Sequence, residues 1–107
     1  MKIRVVIARP GQEPEVIRIE NDLEALQTAV GGWIELVPVR ALNRAEREID
    51  VWCNEEGRLQ GLPVQWVGGE WVAGPVVVAA HDDEGDTTGL DDDQIELAMA
   101  LFSGVFR

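Results

Sequence analysis

The sequence predicts a single small α+β domain spanning residues 1–107. We expect a mixed or mostly antiparallel sheet of five or six strands, with two short helices packed on one face. Three observations predict this fold. Several short apolar runs with strand periodicity lie between turns rich in Gly, Pro and Asn. Two other segments repeat apolar residues at helical spacing and begin with a capping sequence. The length of 107 residues is that of one domain.

A hairpin and a helix are predicted first along the chain. Residues 3–8 are rich in β-branched side chains and residues 15–20 alternate, with a PGQEP turn between them. Asn21 and Glu24 have the spacing of a capping box, which predicts that Asn21 is the N-cap of a helix. Gly31 suits the left-handed conformation that ends many helices. This helix is short, so packing on the sheet must hold it.

Three further strands are predicted from local patterns. Residues 33–39 alternate, and Pro38 cannot donate to a ladder, which indicates an edge strand or a strand end. Residues 49–53 predict another strand, whereas the polar residues 40–48 fit a loop with one helical turn. Residues 74–80 are apolar throughout. A run without alternation is typical of a central strand that is covered on both faces.

The stretch Asn-Glu-Glu-Gly at residues 54–57 predicts a type I turn. The side chain of Asn54 suits a hydrogen bond to the backbone two residues on, and Gly57 suits a positive φ. Residues 58–66 then form the return arm of a hairpin with the preceding strand. Folding therefore explains Asn54 and Gly57, whereas other polar residues suit the two positions between them equally well.

The last third of the chain contains a second tight turn and a second helix. Residues 68–69 are both Gly and lie between two short arms, as in a two-residue hairpin. Asp91 as N-cap and Gln94 complete a capping box, and Leu90 is placed to contact Ile95 as a hydrophobic staple. We expect the apolar residues of this helix to line one face (Ile95, Ala98, Met99, Phe102).

The chain is acidic, with a formal net charge of −11. This charge argues against general nucleic-acid binding, which needs a basic face. It suits a solvated surface, or a protein that mimics DNA to bind a DNA-handling partner. With one cysteine, a short first apolar run and no stretch of about 20 apolar residues, we expect a cytoplasmic protein without disulfide, signal peptide or membrane contact.

Several segments together resemble a known family. They include the stretch around Gly31-Gly32-Trp33, the Asn-Glu-Glu-Gly turn, the following Gly-Leu-Pro and the start of the central strand (residues 30–35, 53–57, 59, 61–63 and 74–78). These residues resemble the domain of unknown function 3846 family, which is found in phages, plasmids and bacterial genomes. The resemblance implies a mobile-element setting and a compact α+β domain, and it implies no activity. Gln65 and Trp66 stand where the family pattern has Asn-Arg.

Residues 82–96 hold eight of the twenty acidic residues. The spacing of Asp82, Glu84, Asp86 and Asp93 half fits a calcium-binding loop. Thr87 occupies the position that such a loop reserves for Gly, and a strand precedes it rather than a helix. We therefore expect a solvated loop and no metal.

Enzyme chemistry finds little support. Cys53 is next to acidic residues, which disfavour a thiolate, so Cys53 and His81 are interpreted as structural residues. Glu35, Glu55 and Glu56 are carboxylates without a visible cleft, since two of them lie on a turn tip. We assign no catalytic residue and no cofactor, and a weak hydrolase is the third interpretation of function.

The leading interpretation is a non-catalytic binding module that acts through contact with a protein partner or through self-association. The alternative is a protein that binds or sequesters a small, nucleotide-like ligand. The four Trp residues fill a core or, near the second turn, form a site. The candidate contacts are Trp33, Glu35, Asn54, Glu56, Gln65, Trp66 and Trp71, together with an acidic surface formed by Asp82, Asp83, Glu84 and Asp86.

Overall fold

A computed structural model gives the structure of the protein, and it describes residues 1–39 and 48–103. The described chain forms eight strands and two helices: β1 (Lys2–Ala8), β2 (Glu15–Glu20), α1 (Leu23–Val30), β3 (Ile34–Leu36), β4 (Ile49–Asn54), β5 (Val64–Val67), β6 (Glu70–Ala73), β7 (Val76–His81), β8 (Thr87–Thr88) and α2 (Asp92–Ala100). The predicted α+β fold is confirmed. No helix within the described ranges is long and apolar enough to cross a membrane.

The main sheet has six strands in the order β2-β1-β7-β4-β3, and β8 pairs with β7 beside this path. Its described ladders are all antiparallel. β7 is central, as its unbroken apolar run predicts, and its first five residues are fully buried. β3 lies at one edge, as Pro38 indicates, although it is only three residues long.

The two helices lie on opposite faces of the sheet, which corrects the prediction that both pack on one face. Val77 and Ala79 of β7 point into a core that contains Leu26 and Val30 of α1. The alternate residues of β7 point into a second core, which α2 and the β5–β6 hairpin cover (Val76, Val78, Ala80). A central strand that is apolar on both faces needs cover on both, and one helix on each side supplies part of it.

The N-cap of α1 is Asp22 rather than the predicted Asn21. The Asp22 Oδ1 accepts a hydrogen bond from the Ala25 amide at 2.8 Å. Asn21 still extends the β1–β2 hairpin, because its N–H donates to the Met1 carbonyl oxygen at 3.0 Å. The helix ends as predicted at Gly31, which has a φ of 83°.

α2 begins as the sequence predicts. Asp91 accepts from the Gln94 amide at 2.8 Å, and the Gln94 side chain accepts from the Asp91 amide at 2.9 Å. The capping box thus satisfies the amides of Asp91 and Gln94. Ala98 is fully buried on the face of α2 that packs on the sheet.

The segment after the 54–57 turn does not return along β4, which corrects the predicted hairpin. β4 already has β3 and β7 as neighbours, so both of its edges are occupied. β5 instead pairs with β6 through a turn in which Gly68 and Gly69 have φ values of 52° and 93°. Two successive positive φ values are those of a type I′ turn, which explains both glycines. The predicted loop at residues 40–48 lies outside the described residues except for Glu48.

Candidate functional site

A groove of about 300 Å³ runs between the β3 edge of the sheet and the β5–β6 hairpin. One wall is β3 and the residues after it, the other is β6, and the turn after β4 closes one end. The lining residues are Glu35, Leu36, Val37, Pro38, Cys53, Asn54, Glu55, Arg58, Leu59, Glu70, Trp71, Val72 and Ala73. This groove is the candidate site because its lining combines exposed apolar side chains with charged ones. The exposed apolar residues are Leu36, Leu59 and Trp71, and the charged residues are Glu35, Glu55, Arg58 and Glu70.

The turn after β4 is locked to its surroundings by a buried amide. Asn54 is 4% exposed, and its Oδ1 accepts from the Glu56 amide at 2.8 Å, as the turn prediction requires. Its Nδ2 donates to the Val30 carbonyl oxygen at 3.3 Å and to Gln60 at 3.2 Å. The Val30 carbonyl belongs to the last turn of α1, where no intrahelical donor reaches it. One side chain of β4 therefore satisfies a helix end and shapes the groove wall.

Gly57 fixes the distance between this turn and the hairpin. Its φ is not positive, which corrects the predicted left-handed conformation. A Cβ at Gly57 would lie 2.4 Å from the Ala73 carbonyl oxygen, so the backbones approach more closely than any side chain permits. The Gly74 amide adds a hydrogen bond to the Pro63 carbonyl oxygen at 2.8 Å.

Gln65 fastens the hairpin to the sheet. Its Nε2 donates to the carbonyl oxygens of Ala8 and Gly74, at 3.0 and 2.9 Å. Both amide hydrogens are thereby used inside the fold. The structure thus places this predicted contact residue at the junction of β1, the start of β7 and the hairpin.

The groove is apolar with an acidic rim. Its described lining residues include three carboxylates, Glu35, Glu55 and Glu70, and one guanidinium, Arg58. Arg58 donates to the Trp71 carbonyl oxygen at 3.2 Å, which holds it against the hairpin wall. Burial raises the pKa of the Cys53 thiol, and the Glu35 carboxylate opposite it raises that pKa further. Among the described lining residues, acidic side chains therefore outnumber basic ones.

Three of the predicted contact residues come together in this groove: Glu35, Asn54 and Trp71. Trp66 packs edge-to-face on Trp71, with ring centroids 4.7 Å apart and planes at 72°. The Nε1 atoms of Trp66 and Trp52 are buried and have no hydrogen-bond partner among the described residues. Trp66 thus supports the aromatic ring that the groove exposes.

Trp33 and Glu56 lie beside the groove rather than in its lining. Trp33 is 64% exposed and immediately precedes β3, and its carbonyl oxygen accepts from the Glu55 amide at 2.8 Å. Glu56 is exposed on the turn tip. Leu59, which is 86% exposed, also lines the groove and was not among the predicted contact residues. A lone Leu within a polar turn was the available signal for it.

The acidic surface at residues 82–86 lies far along the sheet from the groove. Cys53, in the groove, is opposite Val76 at the start of β7, whereas Asp82 follows the end of that strand. The Asp82 Oδ1 accepts from the amides of Glu84 and Asp86, each at 3.0 Å, and this closes a tight turn. Among the described residues, no group of three or more His, Cys, Asp or Glu is placed to hold a metal ion.

Cys53 and His81 do not meet, because they lie at opposite ends of the β4–β7 ladder. The His81 Nδ1 instead lies 2.9 Å from the Asp50 Oδ2, on the neighbouring strand. This pair links β7 to β4 beside the acidic surface. Neither His81 nor Asp50 is among the lining residues of the groove.

A family model described as "Domain of unknown function (DUF3846)" matches residues 1–103 of the chain. The chain belongs to the DUF3846 family. The match covers every described residue, so the groove and its walls lie inside the DUF3846 domain. No curated protein and no solved structure matches the chain. Membership in DUF3846 brings no assigned activity, and any function must therefore be argued from the geometry above.

Proposed function

We propose that the protein is a non-catalytic binding module that holds an extended, positively charged segment of a partner protein in the groove between β3 and the hairpin. The observation that carries this proposal is the combination, in one groove, of apolar side chains, the exposed ring of Trp71 and the carboxylates of Glu35 and Glu55. The remaining residues of the two turns and the helix caps are engaged in folding.

Apolar contact supplies one part of the binding. Trp71 is 58% exposed, and the ring of Trp66 packs edge-to-face against it and fixes its orientation. A rigid, partly exposed Trp is a common anchor at protein interfaces, because it covers a large area at low cost in conformational entropy. Leu59, which is 86% exposed in the turn after β4, adds a second exposed apolar side chain to the lining.

The charges of the groove favour a cationic partner over an anionic one. Glu35 and Glu55 place two carboxylates in the lining of the groove, and the whole chain carries −11. Cationic side chains on a partner are attracted by this field, and the attraction decreases with added salt. The same field disfavours the phosphates of a nucleotide, so the geometry supports a peptide over a nucleotide-like ligand.

The proposal is tested by calorimetric titration with a panel of extended peptides that alternate Arg with Val, Leu or Trp. We expect at least one member to bind, with an affinity that falls as salt is raised. The matching peptides with Glu in place of Arg should not bind. Absence of binding across the Arg panel at low salt contradicts the proposal.

A pair of charge-matched variants locates the site. Glu35→Gln with Glu55→Gln removes two charges from the groove, whereas Asp83→Asn with Glu84→Gln removes two from the distant acidic surface. We expect the first variant to weaken peptide binding at least tenfold and the second to change it little. The reverse pattern assigns binding to the acidic surface and contradicts the groove.

A further inference from the structure

We infer that the partner segment binds as an added β-strand along the outer edge of β3, with every second side chain turned into the groove. This inference rests on the proposed function and specifies how the partner is held. It follows from the hydrogen-bond pattern of β3, from the apolar character of this edge and from the position of Glu35.

The main-chain groups of β3 alternate in direction. Trp33 accepts from the Glu55 amide and Val37 donates to the Val51 carbonyl oxygen, both at 2.8 Å, and Glu35 lies opposite Cys53 in the same ladder. Antiparallel pairing alternates between residues that bond to the neighbour and residues that do not. The N–H and C=O groups of Ile34 and Leu36 therefore point away from β4. β3 has a single neighbour among the described strands, so these groups face the outer edge.

The two edges of the sheet differ in how they are protected. β2, at the far edge, carries charged side chains at three of its six positions (Glu15, Arg18, Glu20), which is a common protection against added strands. β3 instead has Trp33 before it at 64% exposure and Leu36 at 50%. An edge with exposed apolar side chains, and with main-chain groups that have no strand partner among the described residues, is the kind of surface on which peptide recognition by strand addition takes place.

The groove receives the side chains of such a strand. Glu35 and Val37 line it from β3, and neighbouring strands place opposed side chains about 5 Å apart. Side chains on one face of the added strand therefore lie beside Glu35 and reach toward Trp71. A cationic residue at these alternate positions meets the acidic rim, which explains why the occupant is a basic segment.

A second copy of this chain fits the edge poorly. Full antiparallel pairing of two β3 strands, with Ile34 opposite Leu36 of the copy, places the two Glu35 side chains opposite each other. Like charges directly opposite on neighbouring strands are destabilising, and each copy also carries −11. The charges thus favour a different, basic chain over self-association.

The test uses a heptapeptide of alternating Val and Arg with blocked ends, and two N-methylated forms of it. One form is methylated on the Val nitrogens and the other on the Arg nitrogens. In an added strand, only alternate amides face β3, so one form should lose at least tenfold in affinity while the other binds within about threefold of the parent. Because seven alternating residues divide four to three, one form carries four methyl groups and the other three, and each methyl group stiffens the peptide locally.

Amide hydrogen exchange of the full chain gives an independent measurement. Saturation with the parent heptapeptide should slow exchange at Ile34 and Leu36 at least tenfold. Glu35 should change less, because its amide already faces β4.

The outcomes separate the two claims. If the parent heptapeptide binds but both methylated forms bind equally well, strand addition is wrong and the groove proposal stands. If unchanged exchange at Ile34 and Leu36 accompanies binding, the conclusion is the same. If the parent heptapeptide and the wider Arg panel all fail to bind, both claims are wrong. The unliganded chain could instead form a dimer that a Leu36→Lys substitution abolishes. That result assigns the edge to a second copy and overturns the inference.

Discussion

Gly57 lies so close to the hairpin that a Cβ added to it would stand 2.4 Å from the carbonyl oxygen of Ala73. The contact joins the turn after β4 to the last residue of β6, and it sets the width of one end of the groove. Gly61, in the same turn, has the opposite character: its φ is 67° and nothing lies within 4 Å of its added Cβ. The two glycines are therefore required for different physical reasons.

This difference predicts that substitution by Asn destabilises the protein more at Gly57 than at Gly61. Gly57→Ala and Gly57→Asn should each lower the free energy of unfolding by about 1–3 kcal/mol, because any side chain pushes the hairpin away. Gly61→Asn should cost less than about 1 kcal/mol, because Asn tolerates the left-handed region in open space. Urea denaturation measures both. Equal losses at the two positions would show that the contact with Ala73 is not what requires Gly57.

Asn54 predicts a stability effect that reaches α1. Asn54→Ala leaves the Val30 carbonyl and the Glu56 amide without their side-chain partner, and should cost about 1–3 kcal/mol. Amide exchange in the last turn of α1 should quicken at the same time. Gln60→Ala is the matched control, since it removes one hydrogen bond of Asn54 from the exposed side. It should cost less than about 1 kcal/mol.

The two hydrogen bonds of Gln65 predict that stability depends on the amide donor of this side chain more than on its shape. Gln65→Glu keeps the size of the side chain but places carboxylate oxygens against the carbonyl oxygens of Ala8 and Gly74. We expect a loss of about 2 kcal/mol or more at neutral pH, measured by thermal and urea denaturation. Gln65→Met, which removes the donors without adding a charge, should cost less. A Glu variant as stable as the parent contradicts the bridging role.

Cys53 predicts the pH dependence of thiol alkylation. Burial and then Glu35 raise the pKa of the thiol, so iodoacetamide should react more slowly with the folded chain than with the unfolded chain at pH 8. Glu35→Gln should lower that pKa and quicken alkylation, while burial keeps the reaction slower than in the unfolded chain. Glu13→Gln, on the exposed β1–β2 loop, should leave the rate unchanged. If Glu35→Gln leaves the alkylation rate unchanged, the charge of Glu35 is not a cause of the slow reaction.

The raised pKa of the Cys53 thiol also makes the free energy of unfolding depend on pH. The folded thiol retains its proton at pH values where the unfolded thiol has lost it, so the folded state binds more protons there. The free energy of unfolding should therefore decrease as pH rises through the ordinary pKa of a thiol. Cys53→Ser removes this contribution, and the comparison of the two pH profiles measures it.

Local signals in the sequence predicted most of the local features, although the N-cap of α1 and the φ of Gly57 differ from the prediction. The β1–β2 hairpin, the end of α1 at Gly31, the Asp91–Gln94 capping box and the turn at residues 68–69 all depend on residues within a few positions of one another. The central place of β7 was also predictable, because a strand covered on both faces has no polar side. The one-residue error at the N-cap concerns neighbouring residues that can both cap a helix, since the Asp22 side chain accepts from the Ala25 amide while the Asn21 amide pairs with Met1.

The features that the sequence did not predict depend on strand order. Whether residues 58–66 return along β4 is decided by β3 and β7, which already occupy both edges of that strand. The Asp50–His81 pair arises because two strands distant in sequence are neighbours in the sheet. The groove likewise combines three segments that are distant in sequence: Glu35 of β3, the turn after β4 with Asn54, Arg58 and Leu59, and Trp71 of β6.

The central position of β7 also has a consequence for synthesis on the ribosome. β1 and β4 are made first, yet each has β7 as a neighbour, and β7 begins only at Val76. A nascent chain that ends before Val76 holds two separate fragments of the sheet, each with an apolar flank that water contacts. Chaperone capture and premature aggregation should therefore concentrate in this interval of translation, and should subside once Val76–His81 emerges.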